Sequence, residues 1–205
     1  MSVVVLISGR GSNLKALMEA GIPVCAVISN VAGAAGLGYA AAAGIPARTI
    51  PHRDFATREA FDQALARAVD EYAPRLVVLA GFMRILGAGF VARYDGRLMN
   101  IHPSLLPAFP GLDTHRRALA AGVKVHGCTV HFVTADLDHG PIIVQAAVPV
   151  HADDTEQTLA ARVLRQEHRI YPLAVRWFLD DRLSVSGGIV RVKGGDAQAY
   201  FASGA

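Results

Sequence analysis

The sequence predicts an α/β fold: a doubly wound, Rossmann-like, mostly parallel sheet with helices on both faces, followed by an antiparallel strand extension and a long C-terminal helix. Three observations predict it. Apolar, β-branched runs alternate with helical patterns through the first half of the chain. The longest of these runs are continuous rather than alternating, as in parallel strands covered on both faces. After a Pro/Gly-rich break the pattern changes to two longer strand-like runs and one long helical stretch.

The strand candidates in order are Ser2 to Gly9, Val24 to Asn30, Ala47 to Ile50, Leu76 to Phe82 and Leu98 to His102. Between them, "SNLKALMEAG", "GLGYAAAAG" and "TREAFDQALARAVDEYA" read as helices, with Ser12 and Thr57 as capping residues and Gly21 and Gly44 as helix-ending glycines. Past "PAFPGLDTHR", the runs "CTVHFVTA" and "PIIVQAAVPV" form a two-stranded element. A helix from Thr155 to Asp181 follows, expected to bend at Pro172 because proline removes a helical hydrogen bond. "LSVSGGIVRVKGG" reads as a small hairpin, and the remaining tail is expected to be mobile.

Bulk properties narrow the function classes. The chain has 205 residues, 52% hydrophobic and 18% charged, enough for a large core. No run approaches the ~18 apolar residues of a membrane span, and "MSVVVLISGRG" lacks a secretory signal, so a cytoplasmic protein without a membrane partner is expected. The net charge is +3, with a pI near 9.1, but there is no Lys/Arg run. Nucleic acid is therefore not expected, and small anionic ligands fit at least as well. Cys25 and Cys128 lie in apolar runs and read as reduced, packed thiols; no metal-ligand spacing involves either, and no metal is expected.

Two stretches carry chemistry. "LISGRGSNLKAL" follows the first strand and opens the first helix, where backbone N–H groups and the helix dipole favour an anion; Gly9 and Gly11 allow close approach and Ser12 and Asn13 add side-chain groups. A phosphate site follows. NAD is disfavoured, since the third glycine of G-x-G-x-x-G falls on Leu14 and the second strand ends in Asn30 rather than an acid. In "LMNIHPSLLPAFPG", Asn100 and His102 share one face at the C-terminal end of a strand, where open α/β sheets place ligands. In "TADLDHGPII", Asp138 precedes a Gly-Pro turn; a turn-forming aspartate reads the same way, and Asp136 is an equal candidate by sequence.

At this point "ISGRGSNL", "VLAGFMRIL", "NIHPSLLP", "HGCTVHFVTADLDHGP" and "QEHRIYP" together resemble the glycinamide ribonucleotide formyltransferases, folate-dependent enzymes of purine synthesis, over nearly the whole chain to about Val185. The resemblance implies transfer of the formyl group of 10-formyltetrahydrofolate, a co-substrate, to the amine of the ribonucleotide. It implies Asn100, His102 and Asp138 as the catalytic trio and Gly11, Ser12 and Asn13 as the phosphate loop, with Glu167 near the glycinamide end. It implies Arg58, Met83, Arg84, Ile85, Leu86, Asn100, Thr134, Ala135, Asp136, Leu137 and Asp138 as the folate side. Residues 1–185 would then be one formyltransferase domain, with a nucleotide half (1–100) and a catalytic and folate half (101–185), and 186–205 a hairpin and tail. Ala135 and Leu164 depart from the usual pattern of such enzymes at peripheral contacts. The partners expected are two small molecules, with the protein a monomer or weak homodimer.

The implied chemistry explains the paired amide and imidazole. Formyl transfer passes through a tetrahedral oxyanion, which the Asn100 amide can stabilise as a donor. His102 can donate to the same oxyanion and protonate the leaving nitrogen, and a carboxylate beside it, Asp138, favours the protonated ring. Three other functions share parts of this pattern. A formyltetrahydrofolate hydrolase would not need the phosphate loop and is expected to carry a further regulatory domain. Methionyl-tRNA formyltransferase is expected to carry a tRNA-binding domain for which this length leaves no room. A catalytically silent nucleotide sensor would not need all three of Asn100, His102 and Asp138.

Overall fold

The computed structural model describes residues 2–202, which divide into two compact units: 2–100 with Val133–Ala135, and Ile101–Phe132 with 136–202. In the first unit, β1 (Val3–Ile7), β2 (Val24–Ser29), β3 (Ala47–Thr49), β4 (Leu76–Leu79) and β5, which starts at Leu98, pair in the order β3-β2-β1-β4-β5, all parallel. Every side chain of β1 and β4 is buried, which explains why their sequences are continuously apolar. The chain moves from β1 outward to β3, then returns to place β4 on the other side of β1. That reversal makes a topological switch point at the C-terminal ends of β1 and β4, where the loops after both strands emerge.

Helices α1 (Ser12–Glu19), α2 (Gly36–Ala42), α3 (Arg58–Asp70) and α4 (Ala88–Arg93) connect these strands, with one 3₁₀ turn at His52–Asp54. The Thr57 hydroxyl caps α3 by accepting from the Ala60 amide, as expected. Ser12 does not cap α1; it is the first helical residue, and Gly11, at φ +74°, occupies the cap position without a side-chain bond. Helix α4 is invisible to pattern reading because it is short and glycine-rich. It forms because Phe90 and Val91 are buried in a core with Phe61, Leu65, Val69 and Tyr94. The Tyr94 hydroxyl, on a fully buried ring, donates to Asp70 Oδ1 at 2.8 Å and lies 3.1 Å from the Ala66 carbonyl.

Strand β5 (Leu98–His102) ends in the second unit. There β6 (Val125–Phe132) and β7 (Ile142–Pro149) pair antiparallel, with Cys128 opposite Ala146, so the expected extension is present. The long helix is α6 (Glu156–Leu179), whose start is a capping box made by Thr155 and Thr158. It continues through Pro172, which is buried within it. The hairpin pairs β8 (Leu183–Ser186) with β9 (Ile189–Val192).

One further element is present and one expectation is corrected here. The stretch after Pro110 contains a helix, α5 (Thr114–Ala120), whose Thr114 and Ala118 are buried. The tail forms β10 (Ala199–Phe201), parallel to β7, with the Gln145 amide donating to the Gln198 carbonyl. The free edge of β7 supplies ladder partners that three residues of tail can satisfy, which no local propensity signals. The last three residues of the expected tail, 203–205, lie outside the described residues.

Candidate active site

In the first unit the loop after β1 turns at Gly11, whose α-carbon sits so near α2 that an added Cβ would lie 2.5 Å from the Gly36 Cα. The Gly36 amide donates to the Gly9 carbonyl, holding the loop against α2. Lys15 N–H is bonded back to Gly11 O, so the amides of Ser12, Asn13 and Leu14 precede the first intrahelical bond. These form the N-terminal end of α1, with no acidic residue in its first turn.

The loop after β4 lies at the same switch point. Met83 N–H donates to Ser8 Oγ at 2.7 Å, tying the two loops together. Met83 and Ile85 are 68% and 55% exposed, Arg84 is exposed and Leu86 is buried. The loop ends at Gly87, whose amide donates to Asp62 Oδ2. Burial raises the Asp62 pKa above the ordinary carboxylate value, against the pull of the Gly87 bond. Arg58 opens α3 and is exposed. Asn100 is half-buried on β5, opposite Leu79 of β4. Val133 N–H donates to the Leu98 carbonyl, and Thr134 and Ala135 follow it.

The second unit holds the histidine and the aspartate. His102 Nδ1 lies 3.5 Å from Asp138 Oδ2, and each of the two side chains is only 7% exposed. The other ring nitrogen, Nε2, is 3.0 Å from the Phe109 carbonyl. Asp138 Oδ2 also accepts from the Gly111 amide at 2.8 Å. Asp138 and Phe109 both adopt positive φ, +56° and +54°, conformations unfavourable for non-glycine residues and enriched at functional sites. The chain after His102 is pinned from several sides. Thr129 Oγ1 donates to the Ser104 carbonyl and accepts from the Leu106 amide and Gln145 Nε2, while Thr114 Oγ1 donates to the Pro103 carbonyl.

Asp136 and Leu137 are exposed beside Asp138, so it is Asp138 and not Asp136 that the fold turns toward an imidazole. Glu167 is buried on α6, and Leu164 lies one turn before it. One group escaped sequence reasoning: His131 on β6, buried, with Nε2 4.0 Å from Asp138 Oδ1 and Nδ1 2.8 Å from the Phe132 carbonyl. Burial pushes its pKa down, opposed by the Phe132 carbonyl and Asp138. The signal was its position in "TVHFV" immediately before "TADLD", but strand alternation alone does not say which face meets the Asp138 turn. Burial, with a smaller push from Glu167, raises the Cys128 thiol, which leaves it a packed hydrophobe.

Comparisons with known proteins show the family. The formyl transferase family model matches residues 1–175. The chain belongs to that family. It is 55% identical over 191 residues to the phosphoribosylglycinamide formyltransferase of Escherichia coli, covering 90% of each chain. Among solved structures it is similar to the phosphoribosylglycinamide formyltransferase of Coxiella burnetii, with 48% identity, TM-score 0.91 and 98% of each chain covered. It is also similar to the enzyme of that name from Anaplasma phagocytophilum, with 42% identity, TM-score 0.93 and 99% of each chain covered. The mixed, mostly parallel sheet with its antiparallel extension and C-terminal helix is the fold of these relatives. Among the described residues no helix is long and apolar enough to cross a membrane, and no group of three or more His, Cys, Asp or Glu is placed to hold a metal ion.

Proposed function

We propose that this protein transfers the formyl group of 10-formyltetrahydrofolate to the amine of glycinamide ribonucleotide, giving formylglycinamide ribonucleotide in purine biosynthesis. The observation that carries the proposal is the buried His102–Asp138 pair, in a chain 55% identical to an enzyme named for this activity. The two ring nitrogens of His102 face two acceptors, the Asp138 carboxylate and the Phe109 carbonyl. An imidazole placed between these two acceptors is positioned to hold a proton for a general acid.

In the proposed reaction the substrate amine attacks the formyl carbon, forming a C–N bond and placing negative charge on the formyl oxygen. The Asn100 amide donates to that oxygen, and so does His102 Nε2–H once the substrate takes the place of the Phe109 carbonyl, with Nδ1 kept on Asp138. Collapse breaks the bond to the folate N10 nitrogen, which takes up a proton from His102, while the attacking nitrogen loses one to solvent or to a neighbouring base. Asp138 stabilises the cationic ring electrostatically, and its bond to Gly111 orients the carboxylate. No metal enters any step.

The ribonucleotide phosphate is assigned to the amides of the Gly11–Asn13 segment, and Glu167 to the glycinamide end. The folate is assigned to Arg58, Met83 to Leu86, Asn100 and Thr134 to Asp138. Support for the folate side comes from Met83 and Ile85, apolar side chains exposed on the loop after β4, where a flat ring system would cover them. Residues 1–185 are proposed to work as one formyltransferase domain on two small molecules, in the cytoplasm, as a monomer or weak homodimer and without nucleic acid.

The test is a formyl-transfer assay run side by side with the ribonucleotide and with water as acceptor. Ribonucleotide-dependent transfer well above the hydrolytic rate is expected. Hydrolysis that ignores the ribonucleotide would replace this function with that of a hydrolase.

A further inference from the structure

A second concave site lies in the second unit, in residues to which the reaction above gives no role. It is a cavity of about 370 Å³ between the end of β7, helix α6 and strand β10. Arg162, Arg165 and Arg169 enter it from α6, His151 from the turn after β7, and Phe201, 76% exposed, from β10. The three arginines are spaced three and four residues apart and share one helical face, where like charges oppose each other. Among the described residues only one of them has a carboxylate partner of its own: Arg162 holds Asp154 through two bonds, 2.6 and 2.8 Å, and donates to the Pro149 carbonyl. Arg169 lies over the Tyr200 ring, 4.6 Å from its centroid, which fixes its guanidinium without neutralising it. Among the described residues no Asp or Glu lines the cavity.

We propose that this cavity binds a small oligophosphate anion, held by the guanidiniums of Arg165 and Arg169 with Arg162 and His151 as further donors. Planar guanidiniums give paired N–H donors that match phosphate oxygens, and two of the three carry charge that no described side chain of the wall offsets. The volume lies at the small end of small-molecule sites and the surface is concave, which favours a compact anion over a peptide or a nucleic-acid strand. Arg162 and Arg169 are held in place before any ligand arrives, by Asp154 and by Tyr200, so little side-chain entropy remains to be lost on binding. The site is independent of the Gly11–Asn13 segment and of the trio, and the inference does not depend on the proposed reaction.

The experiment titrates inorganic pyrophosphate into the full-length protein, followed by calorimetry and by the NMR shifts of the arginine Nε–H groups, assigned through single variants. The Arg165 and Arg169 signals are expected to move saturably. Arg165→Ala combined with Arg169→Ala should weaken this binding by roughly 10²-fold or more while kcat and KM for formyl transfer stay unchanged, since each charge-assisted hydrogen bond to the anion contributes about tenfold or more. The pair Arg165→Lys and Arg169→Lys, which keeps charge but loses the planar fork, should fall between. Citrate tests a polycarboxylate as the source of the anion: equal movement of the same signals at the same concentration would overturn phosphate recognition. Stationary Arg165 and Arg169 signals under pyrophosphate would overturn the site itself.

Discussion

Replacing Gly11 by alanine tests how the loop after β1 is built. Two separate penalties act on the added methyl group. Gly11 holds φ at +74°, a left-handed conformation that disfavours any L side chain by about 1–2 kcal/mol. The new Cβ would also stand 2.5 Å from the Gly36 Cα, a backbone atom that cannot rotate away, and overpacking of this kind costs about 1–3 kcal/mol. The sum, about 2–5 kcal/mol, corresponds to a drop in Tm of roughly 4–20 °C for a chain of this size. Gly36→Ala separates the two penalties. Its Cβ would meet Gly11 Cα at 2.9 Å and Ile7 Cδ1 at 2.7 Å, and Gly36 is not among the positive-φ glycines, so only the packing penalty applies. That penalty is partly offset by the ~1 kcal/mol by which alanine exceeds glycine in helix propensity. Urea denaturation gives the stabilities, and initial rates give KM for each substrate. Gly11→Ala should lose the larger amount of stability and raise KM for the ribonucleotide while leaving KM for the folate nearly unchanged. A Gly11→Ala protein as stable as wild type, with both KM values unaltered, would refute the tight turn and the phosphate role together.

Asp138→Asn keeps an acceptor for the Gly111 amide but removes the charge facing His102, so kcat should fall by roughly 10²- to 10⁴-fold with both KM values nearly intact; steady-state kinetics with each substrate varied will show it. Asp154, almost fully buried, is held well below the ordinary carboxylate pKa chiefly by its bonds to Arg162. The folded value lies below the unfolded one, so this stabilisation is complete above about pH 4 and is lost as pH falls through the folded value. Asp154→Asn should therefore cost about 3 kcal/mol at neutral pH and flatten the acid limb of stability against pH. His126 behaves differently: burial pushes its pKa down from 6.5 to about 4, against a weaker pull from the Pro103 carbonyl. The unfolded chain takes up this proton first, so stability should fall by about 3 kcal/mol as pH drops from 6.5 to 4, a limb that His126→Leu should remove in denaturant titrations at several pH values.

The parallel strands were legible because burial on both faces leaves an unbroken apolar run, as in Val3 to Ile7, and β5 is found at the expected Leu98 to His102. Short elements were not. Helices α4 and α5 depend on tertiary burial of Phe90, Val91 and Ala118 rather than on local propensity, and β10 depends on an open edge supplied by a strand some fifty residues away in the chain. Ser12 looked like a cap because its residue type is right, but the turn is made one residue earlier by the left-handed Gly11. At the site, residue type and position singled out Asn100 and His102. Sequence could not choose between Asp136 and Asp138; the positive φ of Asp138 turns its carboxylate to His102, a choice made by backbone conformation. His131 went unseen for the same reason, since its proximity to Asp138 exists only once β6 and the Asp138 turn are folded together.

The most direct measurement is the rate of formyl transfer to glycinamide ribonucleotide by Asn100→Ala and His102→Ala, each checked for cooperative unfolding. Both groups are proposed to act on charge that exists only in the tetrahedral intermediate, so each variant should remain folded and lose roughly 10²-fold or more in kcat. Near-normal kcat in either folded variant would remove that residue from the mechanism and contradict the account.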